Sequence, residues 1–88
     1  MKVIKEYLLA QTVGPQTLYL PELAKPIKVC SSETGLVLYA VVDSTQTSTA
    51  LRKFQIFECE DIIYEDDLIY VDSYINDYGT TNFVFEIN

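Results

Sequence analysis

The sequence predicts a small all-β protein, with six to seven short strands forming a sandwich or a partly closed barrel. Apolar and polar residues alternate over short runs, which is the period of half-buried strands. Turn-forming residues such as Gly14-Pro15 and Gly79 separate these runs. A closed or two-layered arrangement would hide the exposed strand edges. At 88 residues the chain has room for one core, so we expect a single domain over residues 1–88.

Four strands are predicted in the N-terminal half, over residues 3–9, 17–20, 27–30 and 36–42. Pro21 ends the second, because proline cannot donate to a β-ladder. Pro21 and Pro26 leave room between them for one helical turn or a bend. Residues 36–42 are apolar without a break, which is typical of a central strand buried on both faces.

The C-terminal half contains one ambiguous segment. Residues 44–50 are small and polar and predict an exposed loop, whereas residues 51–58 and 82–87 alternate as strands. In the last strand, Phe83, Phe85 and Ile87 are predicted to point inward. Residues 66–78 fit a helix, because tyrosines recur every four residues before Gly79. Their β-branched and aromatic residues favour a strand instead, which is the preferred interpretation.

Charge is distributed unevenly along the chain, whose formal net charge is -7. Residues 1–53 carry six basic and four acidic side chains, whereas residues 54–88 carry nine acids and no base. An acidic surface repels nucleic acid and anionic membranes and attracts basic partners. We therefore expect no direct binding to nucleic acid or membrane. Solubility alone would also explain the charge.

The composition disfavours most catalytic chemistry. The chain has no histidine, which removes the usual general base, the common nucleophile pairs and most zinc sites. Its three glycines share no phosphate-binding spacing, and its acidic clusters lack the EF-hand spacing. We expect no enzyme activity, no cofactor and no functional metal site.

The two cysteines, Cys30 and Cys59, are isolated and lie in strand-like runs, where free thiols are usually buried. Glu6 interrupts the first apolar run, no cleavage site follows, and no run approaches the ~20 apolar residues of a membrane span. These features predict a cytoplasmic protein with reduced thiols. Because so small a core gives modest stability, we also consider a homo-oligomer.

Several short motifs follow one another along the chain: Lys5-Glu-Tyr7, Gln16–Pro21, Leu38–Asp43, Arg52–Ile56 and the closing Phe83-Val-Phe-Glu86. Nearly the whole chain resembles an uncharacterised family of small β-rich accessory proteins of tailed bacteriophages. Where that family has a glycine-rich turn, this chain has Glu58-Cys-Glu-Asp61. The resemblance implies a phage accessory protein acting in the cytoplasm of the bacterial host.

The leading functional hypothesis is a non-enzymatic inhibitor of a bacterial host or anti-phage defence protein. Spaced carboxylates on the segment from 58 to 79 would imitate nucleic-acid phosphates, and its tyrosines would anchor the contact. The predicted partner-binding residues are Glu58, Glu60, Asp61, Glu65, Asp66, Asp67, Asp72, Asp77, Tyr64, Tyr70, Tyr74 and Tyr78.

Two other functions remain open. A sponge for a nucleotide-like immune signal would need cations for phosphates, and its candidate ligand-binding residues are Lys25, Lys28, Arg52 and Lys53. A virion or structural component is the other alternative. Alternatively, the acidic segment has no binding role, so that its acids are a solvated rim and half of its tyrosines belong to the core.

Overall fold

The computed structural model describes all 88 residues and contains seven β-strands. The strands are β1 (Lys2–Leu9), β2 (Gln16–Pro21), β3 (Lys25–Ser32), β4 (Gly35–Asp43), β5 (Thr49–Glu58), β6 (Leu68–Ile75) and β7 (Thr81–Ile87). They form two antiparallel sheets, in the orders β1-β4-β3 and β2-β5-β7-β6. The predicted all-β class is confirmed, and the two sheets stay separate as a sandwich. No segment forms a helix of the length and apolarity needed to cross a membrane.

β4 is the central strand of the first sheet, as its unbroken apolar run predicts. It pairs with β1 on one side and β3 on the other. Leu36, Leu38, Ala40 and Val42 point into the core between the sheets and are at most 2% exposed. Val37 on the opposite face is also buried, because Leu8 and Cys30 flank it on the neighbouring strands.

The inner face of the second sheet contributes Leu20, Phe54 and Val84, all fully buried. The expectation that Phe83, Phe85 and Ile87 point inward is wrong. Since side chains alternate along a strand, the burial of Val84 in the core places these three on the outer face. The alternation of β7 favours the wrong face, because two of its three inner residues, Asn82 and Glu86, are polar and are held there by hydrogen bonds.

Residues 66–78 contain a strand and no helix, which confirms the preferred interpretation of this segment. β6 covers Leu68–Ile75, and its register with β7 shifts between Tyr70 and Asp72. This bulge turns Asp72 and Tyr74 to the inner face, while Tyr70 stays on the outer face opposite Phe85. The four-residue recurrence of tyrosines therefore does not mark a helix.

The segment after Pro21, the polar loop and the two cysteines can also be compared with their predicted structure. Residues 22–23 form a turn closed by a bond from Ala24 N to Pro21 O, so the bend occurs rather than a helical turn. The polar loop is shorter than expected, since β5 already begins at Thr49. Both cysteines are free thiols, but Cys59 is exposed after the end of β5, against the expectation of burial.

Arg52 and Glu86 form an ion pair between the neighbouring strands β5 and β7 of the second sheet. Arg52 Nε lies 2.5 Å from Glu86 Oε2, and Nη2 lies 2.7 Å from Oε1. Arg52 Nη1 also donates to Ala24 O at 2.6 Å. The hydrogen bond to Glu86 raises the pKa of Arg52, although burial opposes the charged form. Arg52 thus joins β5 to β7 and to the β2–β3 connection.

Breaking this pair by Arg52→Met should lower the free energy of unfolding by about 3–5 kcal/mol, because it leaves the Glu86 carboxylate buried without a cation. The side chain of Glu86 is only 9% exposed. The double variant Arg52→Met/Glu86→Leu should recover most of the loss, because an apolar pair carries no uncompensated charge. Urea denaturation followed by circular dichroism measures both. A loss below about 1 kcal/mol in the single variant would show that water solvates the carboxylate.

Candidate functional site

The β5–β6 connection, residues 59–67, crosses the outer face of the second sheet. β5 and β6 both pair antiparallel with β7, which lies between them, so they run parallel to each other. Glu58 lies opposite Asn82 at one end of β7, and Leu68 lies opposite Ile87 at the other. The five-residue separation along β7 corresponds to ~17 Å. The first sheet occupies the inner face, and Phe57 and Ile87 on the outer face are buried. We call residues 58–67 the acidic crossover.

Carboxylates occupy both ends of the acidic crossover. Glu58, Glu60 and Asp61 are exposed at its start, where Glu58 N donates to Asp61 Oδ2 at 2.7 Å. Glu60 closes this turn with a φ of 75°. Asp66 and Asp67 are exposed at its end, and Asn88 N donates to Asp67 O at 3.1 Å. Glu65 beside them is half-buried.

An exposed apolar segment lies between the two groups of carboxylates. Ile62, Ile63 and Tyr64 are 69%, 44% and 82% exposed. Tyr70, also half-exposed, lies on the same outer face, and its ring meets the edge of Phe85 with centroids 5.6 Å apart. The structure thus brings a row of large apolar side chains to the surface, with acids on either side.

No acid of the crossover is neutralised by a basic side chain. The structure has two ion pairs, one between the N-terminal ammonium and Asp43 and the other between Arg52 and Glu86. The carboxylates of the crossover therefore carry uncompensated negative charge into solvent. Asp77 and Tyr78, exposed in the β6–β7 turn, lie at the same end of the sheet as Glu58.

Two of the predicted partner-binding residues, Asp72 and Tyr74, point to the inner face of the second sheet instead, where Asp72 is partly buried and Tyr74 fully. Asp72 Oδ2 accepts a 2.9 Å bond from Val29 N on β3, and its Oδ1 accepts a 2.8 Å bond from Ser73 N. Tyr74 is 7% exposed and packs in the core. The bulge in β6 turns both side chains away from the outer face. Asp72 thereby connects β6, an edge strand of the second sheet, to β3, an edge strand of the first.

Asp72→Ala should lower the free energy of unfolding by about 1–3 kcal/mol, because Val29 N loses its acceptor in a partly buried position. Asp77→Ala is the matched control, and it should change stability by less than about 0.5 kcal/mol since Asp77 is exposed. Urea denaturation compares the two, and hydrogen exchange of the Val29 amide should accelerate in Asp72→Ala alone. Equal losses in both variants would contradict a specific link between the sheets.

A cavity of about 420 Å³ opens at the end of the sandwich where the acidic crossover begins, and we call it the end cavity. Glu58, Asn82 and Tyr74 lie side by side across β5, β7 and β6, with neighbouring Cβ atoms about 5 Å apart. Asp61, Tyr78 and residues 11–13 of the β1–β2 connection complete much of the remaining wall.

Asn82 is the functional candidate that the sequence interpretation missed. It is 7% exposed, and its Nδ2 donates to the Tyr74 hydroxyl at 3.1 Å. Its Oδ1 is buried and has no hydrogen-bond partner in the protein. The only signal in the sequence is an amide in an otherwise apolar closing strand, next to a turn where asparagine is common.

The four predicted ligand-binding cations do not share a site. Arg52 is engaged by Glu86, and Lys53 lies on the outer face of the second sheet. Lys28 lies on the outer face of the first sheet. Lys25 instead lines a second cavity of about 460 Å³, together with Lys2, Glu22 and Asp43.

Asp43 keeps its charge in this second cavity even in acid. The pKa of Asp43 is lowered to about 2, first by a hydrogen bond from Thr45 N, then by the Thr45 hydroxyl and the N-terminal ammonium. The corresponding distances to Asp43 Oδ1 are 3.0, 2.7 and 3.3 Å. The lysines of the second cavity are therefore offset by nearby carboxylates.

A family model described as a domain of unknown function, DUF7352, matches residues 1–88. No curated protein matches the chain, and no solved structure matches it. The structure contains no group of three or more histidine, cysteine, aspartate or glutamate side chains arranged to hold a metal ion.

Proposed function

The chain belongs to the DUF7352 family of domains of unknown function, and we propose that it acts by binding another protein rather than by catalysis. The proposed partner is a bacterial host or anti-phage defence protein with a basic surface, which the binding inhibits. The proposed role as a phage accessory protein follows from the sequence resemblance. The proposed contact surface is the acidic crossover.

One observation carries this proposal: exposed Ile62, Ile63 and Tyr64 lie between two groups of unpaired carboxylates. A contiguous apolar patch bordered by polar residues is characteristic of protein–protein contacts. Interfaces commonly have an apolar, aromatic-rich centre and a polar rim. The crossover has this arrangement, with Tyr64 as the most exposed aromatic candidate at its centre.

The charge of the crossover supports a basic partner. Its carboxylates have no protein cation to satisfy them, so a partner carrying lysine or arginine would bring the compensating charge. The two acid groups lie at opposite ends of the crossover, and these ends are ~17 Å apart along β7, so the groups would occupy separate positions along a phosphate-binding surface. We therefore favour a partner that handles nucleic acid, with the carboxylates imitating phosphates.

Reversing the second acid group by Glu65→Lys/Asp66→Lys/Asp67→Lys should weaken binding to such a partner at least about 100-fold, since three attractive contacts become repulsive. The matched control is Glu6→Lys/Glu22→Lys/Glu33→Lys, which changes the net charge equally at exposed sites elsewhere. The first measurement is retention of partners from bacterial lysate, followed by affinity measurement with the purified partner.

Competition with duplex DNA tests whether the partner holds the crossover in its phosphate-binding surface. A partner that holds the crossover in its phosphate-binding surface should be displaced from the immobilised protein by DNA as well as by salt. Loss of binding in the crossover variant but not in the control variant would support the proposal. Equal loss in both variants, or equal retention, would reject the crossover as the contact surface.

A second candidate function, a sponge for a nucleotide-like immune signal, is supported by Lys2 and Lys25 lining one cavity. Arg52 is unsuitable for testing it, because a carboxylate at this position would face Glu86 and destabilise the fold. Lys2→Glu/Lys25→Glu should instead abolish depletion of a cyclic dinucleotide from solution, measured by chromatography of the filtrate. Lys28→Glu/Lys53→Glu is the matched control and should not. If wild-type protein depletes no dinucleotide, this second candidate fails.

A further inference from the structure

The end cavity has an acidic mouth and a polar inner wall. Glu58 and Asp61 bring two carboxylates to it, and no basic side chain is among its lining residues. Ile56 and Tyr74, from the inner face of the second sheet, provide an apolar and an aromatic surface. A ligand that enters must therefore suit negative charge outside and a partly apolar wall inside.

Asn82 adds a specific requirement to the inner wall. Its side chain is held by the bond from Nδ2 to the Tyr74 hydroxyl, which leaves Oδ1 buried without a partner. A buried acceptor left unsatisfied costs about 1–3 kcal/mol. Asn82 lines the cavity, but Oδ1 itself has almost no accessible surface. A donor that enters to the depth of this side chain and displaces it slightly would satisfy the oxygen, so the ligand should carry donors at the end that enters first.

A guanidinium group fits these requirements better than an ammonium group. It is planar and presents five N–H donors in fixed directions, so it can bond to a carboxylate and an amide oxygen at once. It also stacks on aromatic rings, and the exposed ring of Tyr78 is available in the wall. A volume of about 420 Å³ accommodates a long side chain together with water.

We propose that the end cavity binds the guanidinium group of an arginine side chain presented by a protein partner. Glu58 and Asp61 bind its charge at the mouth, and Asn82 Oδ1 accepts an N–H inside. This inference rests on the proposed function in one respect, namely that the occupant belongs to a basic protein. The binding of the arginine group itself depends only on the end cavity.

The test is a titration of ¹⁵N-labelled protein with N-acetylarginine amide, followed by NMR. The Asn82 side-chain amide should shift in a saturable manner in the millimolar range, as expected for a single anchoring contact. N-acetylcitrulline amide is the matched ligand, because it has nearly the same shape without the charge. It should bind at least tenfold more weakly. Equal responses to both ligands, or no saturable shift at Asn82, would overturn the proposal.

Protein variants locate the site. Glu58→Gln/Asp61→Asn keeps an acceptor for the bond from Glu58 N while removing both charges from the cavity mouth. It should weaken binding of N-acetylarginine amide at least tenfold. Asp66→Asn/Asp67→Asn removes the same charge at the far end of the crossover and should weaken it less than twofold. Equal effects of the two variants would indicate only diffuse attraction and would overturn the proposal.

A further ligand distinguishes the source of the guanidinium group. Agmatine is a free guanidine with a second cation, whereas the acetylated amide imitates an arginine within a protein chain. Binding of agmatine at least tenfold tighter would assign the cavity to a small molecule and reject a protein-borne arginine. Comparable or weaker binding of agmatine would support the side chain of a partner.

The outcomes for the end cavity and for the proposed function are separable. Because the NMR titration needs no protein partner, failure of arginine binding leaves the test of Glu65, Asp66 and Asp67 intact. Conversely, if reversing those three charges leaves partner binding unchanged while the arginine derivative still binds, the crossover fails and the end cavity stands.

Discussion

The position of β7 between β5 and β6 is the constraint on which the surface of this protein depends. Because β7 pairs antiparallel with both neighbours, β5 and β6 run parallel, and the chain between them must travel the length of the sheet. Parallel connections usually take a dozen or more residues and contain a helix. Here residues 59–67 make the crossing without a helix, which makes this a short connection for two parallel strands. The acids and apolar residues of this connection sit over a firm β scaffold.

Three polar contacts border the apolar core, and one of them, from Val29 N to Asp72, joins the two sheets. Arg52 with Glu86 and Asp72 with Val29 N each join parts of the chain that are distant in sequence, and both are complete pairs. Asn82 and Tyr74 form a third contact, which leaves one acceptor unused. Buried polar groups usually find all their partners, so an incomplete one next to a cavity is a reason to look for a ligand. This difference separates the contacts that stabilise the fold from the one that suggests a site.

The presence of the strands could be predicted from local alternation, because a half-buried strand has apolar residues at every second position and turns separate one strand from the next. The unbroken run of residues 36–42 likewise identified the central strand. The orientation of β6 and β7 could not be obtained in this way. A bulge reverses the face of Asp72 and Tyr74, and the partner of Arg52 lies 34 residues away. Such features depend on long-range register, which a period of two residues does not contain. The acidic segment was visible in the sequence, whereas the end cavity was not, since it arises only when residues from four parts of the chain meet.

The turn from Glu58 to Asp61 connects the two proposed binding features. It begins the acidic crossover, and it also forms the mouth of the end cavity. Unpaired acids along the crossover act over about 10 Å at moderate ionic strength and would attract a basic surface without selecting its orientation. A cavity with fixed acceptors acts only at contact and selects for the geometry of the group that enters it. Because both features share this turn, a partner drawn to the crossover arrives with its basic side chains near the cavity. The crossover would therefore attract the partner first, and the end cavity would then select the side chain that enters it.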